Sequence, residues 1–248
     1  MTRSLGHIPD AAEYVSADLL HRNAVELVRG VALPREVDLR HLFQPVEDQG
    51  DRGACVGFAV GAAIEAMGYP GRCSKLALYT GARAVETPYP MVIYDEGCMP
   101  RLLLRALMDP AGSCLVPEDV WPYSERVDLR LPLDVYQHAD GASIDYHRIG
   151  AADRVTTVQA ALAMGRPVPF AMEVDQAYED NAGELYTGPR GKSLGSHMQC
   201  IVGYGPNGFL VRNSWGTGWG SSGYAWVASP VVASAQCSDF YVITRVPR

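Results

Sequence analysis

The 248-residue sequence has no stretch approaching the ~18 consecutive apolar residues that a membrane span demands. Its best apolar run, Cys55 to Ile64, stops at Glu65 and fits a buried helix. The opening residues, MTRSLGHIPDAAEYVSADLL, hold no hydrophobic segment of signal-peptide length, so the expectation is a cytoplasmic protein with no membrane partner. Positive charge is scarce: 21 Lys and Arg against 28 Asp and Glu give a net charge of −7. That balance argues against nucleic-acid binding, which needs a basic face to release counterions from phosphates. There is no CxxC pair and no Cys/His cluster with zinc spacing, and neither a metal nor a cofactor is expected. The six cysteines (Cys55, Cys73, Cys98, Cys114, Cys200 and Cys237) are scattered and do not make a disulfide scaffold. All but Cys55 read as small buried hydrophobes. Internal repeats and low-complexity tracts are absent as well.

What is present suits an ordinary globular protein. Hydrophobic residues make up 48% and charged ones 20%, so a core can form without staples. Residues 1–33 read as an amino-terminal arm with one short amphipathic helix, its apolar positions including Leu19, Leu20, Leu27 and Val28. Prolines at 34 and 45 mark extended chain crossing the surface. GACVGFAVGAAIEAMG lacks a polar face and predicts a helix buried on most sides. Further helices are expected over 75–85, 101–108 and 155–164. Beyond Pro122, runs such as SIDYHRI, PVPFAMEV, MQCIVGYG, GFLVRNSW, GYAWV and DFYVIT predict strands, with Pro206-Asn207-Gly208 as a hairpin turn. The expected organisation is therefore α+β: an arm over 1–33, a helical lobe over 34–130 and an antiparallel β lobe over 131–248, with a cleft between the lobes.

Chemistry concentrates in two places. In DQGDRGACVGFA a cysteine stands where a glycine-bearing loop becomes a helix, and helix N–H groups there favour a thiolate. Gln49, six residues earlier, can aim an amide at the same spot. In GSHMQCIVGYG and FLVRNSWGTGWGSSGY, the hairpin brings Asn213 beside His197, where an amide oxygen fixes the imidazole's tautomer and orientation. Taken singly, a core cysteine, a structural histidine and the core aromatics Trp215 and Trp219 are the ordinary readings. Together, and in the order Cys, His, Asn, they point to nucleophilic catalysis.

These motifs, with VPEDVWPY and SDFYVIT, resemble the papain-like cysteine peptidase family, in particular its bacterial members. The spacing from Cys55 to His197 and Asn213 approximates the ~130–150 residues of papain-type enzymes. The resemblance spans residues 35 to 245 and implies a two-lobed papain-like fold with the active site in the cleft. It implies Cys55 as nucleophile, His197 as base and then acid, Asn213 as orienter, and Gln49 with the Cys55 N–H as oxyanion hole. Trp215 would shield the His–Asn bond. Three positions depart from the family pattern: Arg52 stands where many members have a disulfide cysteine, Val56 where an aromatic is usual, and Glu96-Gly97 where two glycines pair with substrate. Gly97 and Cys98 are accordingly the candidate substrate-binding positions, with core packing at the start of the helix through Leu102 to Leu107 the alternative for Cys98.

The implied activity is cleavage of a peptide or amide bond through an acyl-enzyme thioester. Two alternatives remain open at this point: an amide-forming or transpeptidating enzyme with the same triad, and a non-catalytic binding protein on the same fold. The arm is shorter than the inhibitory propeptide of lysosomal relatives and is expected to act as a permanent brace rather than a latch. The residues leave oligomeric state open.

Overall fold

A computed structural model describes residues 3–86, 95–108, 114–124, 133–139 and 144–245. The arm contributes two short helices, α1 (Ala12–His21) and α2 (Ala24–Leu27), rather than the single expected helix. Asn23 divides them, because its side chain accepts from the Val25 N–H and caps α2. Ala24 and Val28 are buried against the body, while the side chains of Leu19 and Leu20 lie outside the described residues. After the short strand β1 (Val37–Asp38) the chain enters the helical lobe: α3 (Cys55–Ala66), α4 (Lys75–Glu86) and α5 (Pro100–Met108).

Helix α3 is buried without interruption from Cys55 to Ile64, as its lack of a polar face requires. Its glycines set its distance from α4. A Cβ on Gly61 would lie 2.9 Å from Leu78 Cδ1 and 3.1 Å from Cys73 Sγ, so any larger residue would push those side chains aside. The short α6 (Leu133–Tyr136) leads to β2 (Asp145–Ile149), and the expected lobe boundary near residue 130 lies outside the described residues.

The second half holds α7 (Arg154–Ala163), β3 (Val168–Asp175), α8 (Gln176–Glu179), β4 (Leu185–Tyr186), β5 (Ser193–Gly205) and β6 (Gly208–Arg212). It closes with β7 (Tyr224–Val227), α9 (Ser229–Ala233), β8 (Cys237–Ser238) and β9 (Phe240–Arg245). The main sheet runs β4-β7-β6-β5-β3-β8, with β1 added to β5, and β2 pairs separately with β9. All pairings are antiparallel except β4 with β7. β5 turns into β6 at the expected Pro206-Asn207 turn, with Gly205 opposite Gly208.

Strand alternation, shifted by a bulge between Ile201 and Gly203, makes β5 the seam of the molecule. Met198, Cys200 and Val202 join the core of the helical lobe, whereas Ile201 and Tyr204 join the core of the β lobe. The cleft forms where α3 begins against β5.

A buried charge cluster ties the arm to both lobes. On β2, Arg148 pairs with Asp10 of the arm at 2.6 Å and with Asp239, between β8 and β9. Asp10 also accepts the Arg101 N–H at the start of α5, 3.2 Å away. Asp18 on α1 pairs with Arg101 at 3.1 Å.

Candidate active site

Cys55 is the first residue of α3, where helix N–H groups lack intrahelical partners. Its sulfur is completely buried and accepts from the Met198 N–H at 3.4 Å. Burial pushes the thiol up to about 11; the N–H groups of Met198, Gly6 and Val56 pull the other way and do not offset it.

On the facing strand β5, His197 donates its Nε2–H to Asn213 Oδ1 at 2.7 Å. That oxygen also accepts the Ser214 N–H at 2.8 Å, which holds the amide in place at the end of β6. Because Nε2 carries the proton, Nδ1 carries the free lone pair, and it is buried without a partner. Such an orphaned nitrogen costs stability, and a chemical role explains why it is kept. Trp215 stacks on the imidazole with ring centroids 4.5 Å apart and planes 20° from parallel. Trp219 meets Trp215 edge-on. This aromatic wall dries the His–Asn bond. Burial lowers the imidazole to about 3, although the Asn213 bond works to raise it. The resting pair is thus a neutral thiol and a neutral imidazole.

Gln49 is fixed at both ends. Its N–H donates to Ser214 O at 2.9 Å, and its Oε1 accepts the Ser214 hydroxyl at 2.6 Å. Its Nε2 donates to Arg52 O at 2.8 Å and to Ser4 O, in the arm, at 3.2 Å. A carbonyl oxygen of a peptide chain therefore rests on the amide expected to serve the oxyanion.

That chain is the arm itself. Residues 3–8 run through the cleft, contrary to the expectation of a pure brace. Gly6 O accepts the Cys98 N–H at 2.9 Å, and the Ile8 N–H donates to Cys98 O at 3.1 Å. Gly6 fits because it has no side chain: a Cβ there would lie 2.5 Å from Gly53 Cα. Gly97 opposes it with φ 79°, and a Cβ on Gly97 would lie 2.8 Å from Gly6 Cα. Asp95 holds this slot by accepting the Gly53 N–H at 2.9 Å and the Tyr79 hydroxyl at 2.7 Å. At the far end Arg3 donates to Trp215 O at 3.1 Å and lies over the Trp215 ring. The arm's N–H at Arg3 reaches Glu179 Oε1 at 2.8 Å. His7 is buried between Ser196 Oγ, 2.7 Å from Nδ1, and Asp239 Oδ2, 2.9 Å from Nε2.

Each sequence-derived position thus has a place. Cys55, His197, Asn213, Gln49 and Trp215 converge. Gly97 and Cys98 line the cleft, but Cys98 does so through its backbone alone. Its thiol belongs to the helical-lobe core, the second of the two readings open for it, and does not face substrate. Sequence reasoning missed Ser214, His7, Ser196 and Asp239. Ser214 lay inside the NSWG motif, two residues from Trp219's glycine-rich stretch, and a hydroxyl beside Asn213 was the available signal.

A family model described as "Papain family cysteine protease" matches residues 33–240, and the chain belongs to that family. Among solved structures it is similar to xylellain, a cysteine protease from Xylella fastidiosa, with 27% identity, TM-score 0.81 and coverage of 100% of this chain and 99% of that one. Among curated proteins it is 30% identical over 217 residues to cysteine proteinase B of Leishmania mexicana, covering 82% of this chain and 46% of the relative. A peptidase C1-like protein of Acanthamoeba polyphaga mimivirus is 28% identical over 221 residues, covering 80% and 69%. The chain spans about half the length of several curated relatives it matches.

Proposed function

We propose that this protein is a cysteine peptidase acting on peptide bonds through Cys55. The observation that carries the reading is the peptide already lying in the cleft. One of its carbonyl oxygens sits on Gln49 Nε2 and one of its N–H groups is directed at the Cys55 sulfur. A groove that binds main chain in this way, with Cys55 on one wall and an oriented His197 on the other, is arranged for a peptide substrate.

With the arm displaced and water admitted, the penalty for charge separation falls. The thiol proton passes to His197 Nδ1, and the thiolate attacks the scissile carbonyl. Negative charge moves to the carbonyl oxygen, where Gln49 Nε2 and the Cys55 N–H stabilise it. The imidazolium protonates the leaving amine, giving a thioester on Cys55. Water then gives a proton to Nδ1 and attacks the thioester; the acid departs and Cys55 recovers its proton. Asn213 keeps Nε2 protonated throughout.

The relatives give the amide-forming alternative no support, and four intact catalytic positions stand against a binding protein. Six free, buried cysteines favour a reducing compartment. Incubating the opened enzyme with a fluorogenic peptide amide, with and without an added amine, tests the reading by mass spectrometry. The expected products are free acid and amine, with the acid predominating when the amine is present. Cys55→Ala should form neither. Aminolysis products in excess, or turnover in Cys55→Ala, would refute it.

A further inference from the structure

The peptidase reading leaves open which side chains the cleft accepts, and the arm offers a bound example. His7 follows Gly6, the residue whose backbone meets both Cys98 and the nucleophile's sulfur. Its imidazole is wholly enclosed, with a side-chain exposure of 0%. One wall is Ser196, the neighbour of His197 in sequence; the floor is Asp239, itself 3% exposed. This is a built pocket one residue from the reacting sulfur, and its polar contacts are a hydroxyl and a carboxylate.

The carboxylate is prepared to meet a ligand. Asp239 has φ 50°, a left-handed conformation that aspartate tolerates better than most residues and that persists in folds where the surroundings enforce it. Arg148 holds Oδ1, so Oδ2 is the oxygen turned to His7, at 2.9 Å. Oδ2 also takes the Asp10 N–H at 3.2 Å. Arg148 does not use up the negative charge, because Asp10 pairs with the same guanidinium at 2.6 Å and Asp18 lies 3.9 Å from it. Together with Arg101, two guanidiniums face three carboxylates. Removing His7 would leave Oδ2 buried with only two long hydrogen bonds, from the Asp10 N–H at 3.2 Å and the Ser238 hydroxyl at 3.5 Å, an arrangement that favours a cationic replacement.

We infer that Asp239, with Ser196, is a specificity-determining residue of this enzyme: its pocket receives a basic side chain of the substrate, histidine, lysine or arginine, and His7 occupies that place in the closed chain. The inference rests on the peptidase reading. It requires that opening moves residues before Asp10 while α1 stays docked, since Asp10 and Asp18 are what leave Asp239 its charge.

The test uses the full chain. His7→Leu and His7→Glu should loosen the arm and raise the rate of Cys55 alkylation by iodoacetamide at least tenfold, while His7→Lys should stay within threefold of the parent. His7→Glu, opened by repulsion from Asp239, is then profiled with a fluorogenic tetrapeptide library. One position within three residues of the scissile bond should favour Lys, Arg or His over Leu at least tenfold in kcat/KM. Adding Asp239→Asn should bring that ratio near one. Apolar preference at every position, or a basic preference that survives Asp239→Asn, overturns the inference and leaves the peptidase reading standing. Alkylation at Cys55 with no turnover of any peptide overturns both. Should Asp239→Asn fail to fold, the order of alkylation rates among the His7 variants and the library ratio of His7→Glu still decide the matter.

Discussion

Gly6→Ala should open the cleft. The added methyl would lie 2.5 Å from Gly53 Cα, between two backbones that cannot part without breaking the Asp95 bonds holding the slot. The arm must therefore leave its seat around residue 6. It then loses the bonds from Cys98 N–H to Gly6 O, from Ile8 N–H to Cys98 O and from Gln49 to Ser4 O. At about 1 kcal/mol net for each, the closed form loses about 3 kcal/mol, which is roughly a hundredfold in the open population, taking about 1.4 kcal/mol per tenfold. In the closed form the thiol, raised to about 11 by burial, is ionised to about one part in 10⁴ at pH 7. Alkylation thus proceeds through open molecules, and its rate reports their population. Intact-mass kinetics with iodoacetamide at pH 7 should show Cys55 labelled 10- to 100-fold faster in Gly6→Ala than in the parent. An unchanged rate in a folded variant would mean that the arm does not shield the nucleophile.

Other outcomes follow from the site. In the Gly6→Ala background, Gln49→Ala should lower kcat by roughly 10–1000-fold, because one oxyanion donor is lost while the Cys55 N–H remains. Ser214→Ala, which only frees the Gln49 side chain, should cost less; equal losses would place Ser214 in the chemistry itself. On pH, burial holds His197 at about 3 against 6.5, so its contribution to the closed form is complete above pH 6.5 and is lost as pH falls toward 3. The drop in Tm between pH 7 and pH 4 should accordingly be smaller in His197→Asn than in the parent, and identical slopes would contradict a buried neutral imidazole. Cys55, raised from 9.0 to about 11, sets the alkaline limit: its contribution is complete below pH 9 and lost as pH rises through 11. Cys98→Ser should lower stability by about 1–3 kcal/mol in urea denaturation, because the hydroxyl replaces a fully buried thiol in the core; an unaffected midpoint would return Cys98 to the cleft.

The parts of the molecule legible in the sequence are those with a period or a motif. Helix α3 shows itself as ten successive small or apolar residues, and the β5–β6 hairpin by turn chemistry between two apolar runs. Cys55, His197, Asn213 and Gln49 are legible through their order and flanking residues. The two-residue strands β1, β4 and β8 are too short to carry a period. The arm reads as one helix because the apolar spacing continues across Asn23, whereas the capping bond, a local event, divides it. The pocket around His7 could not be read at all. A lone histidine in a polar segment gives no sign of a partner as remote in sequence as Asp239. Cys98 shows a further limit: position in a motif identified the right stretch of backbone and left open which way its side chain turns.

The arm joins two functions with different anchoring chemistry. Residues 3–8 are held by backbone hydrogen bonds, one imidazole and the Arg3 guanidinium on Trp215, contacts that exchange readily for those of a substrate. Residues 10–28 are held by Asp10 and Asp18 on Arg148 and Arg101, inside the protein. Exposed Pro9 separates the two, so displacement of the first part need not disturb the second. Removal of residues 2–8 should therefore release Cys55 with little loss of stability. Removal of residues 2–30 takes both aspartates from a guanidinium that is 4% exposed, and breaking a buried pair in this way costs about 3–5 kcal/mol. It also leaves Arg148 to Asp239 alone, which cancels the charge of the pocket floor. The shorter truncation should yield an active enzyme with basic preference. The longer one should melt far lower and, where it still turns over peptides, should have lost that preference. Equal stability of the two truncations would show that the charge cluster is not what docks the arm.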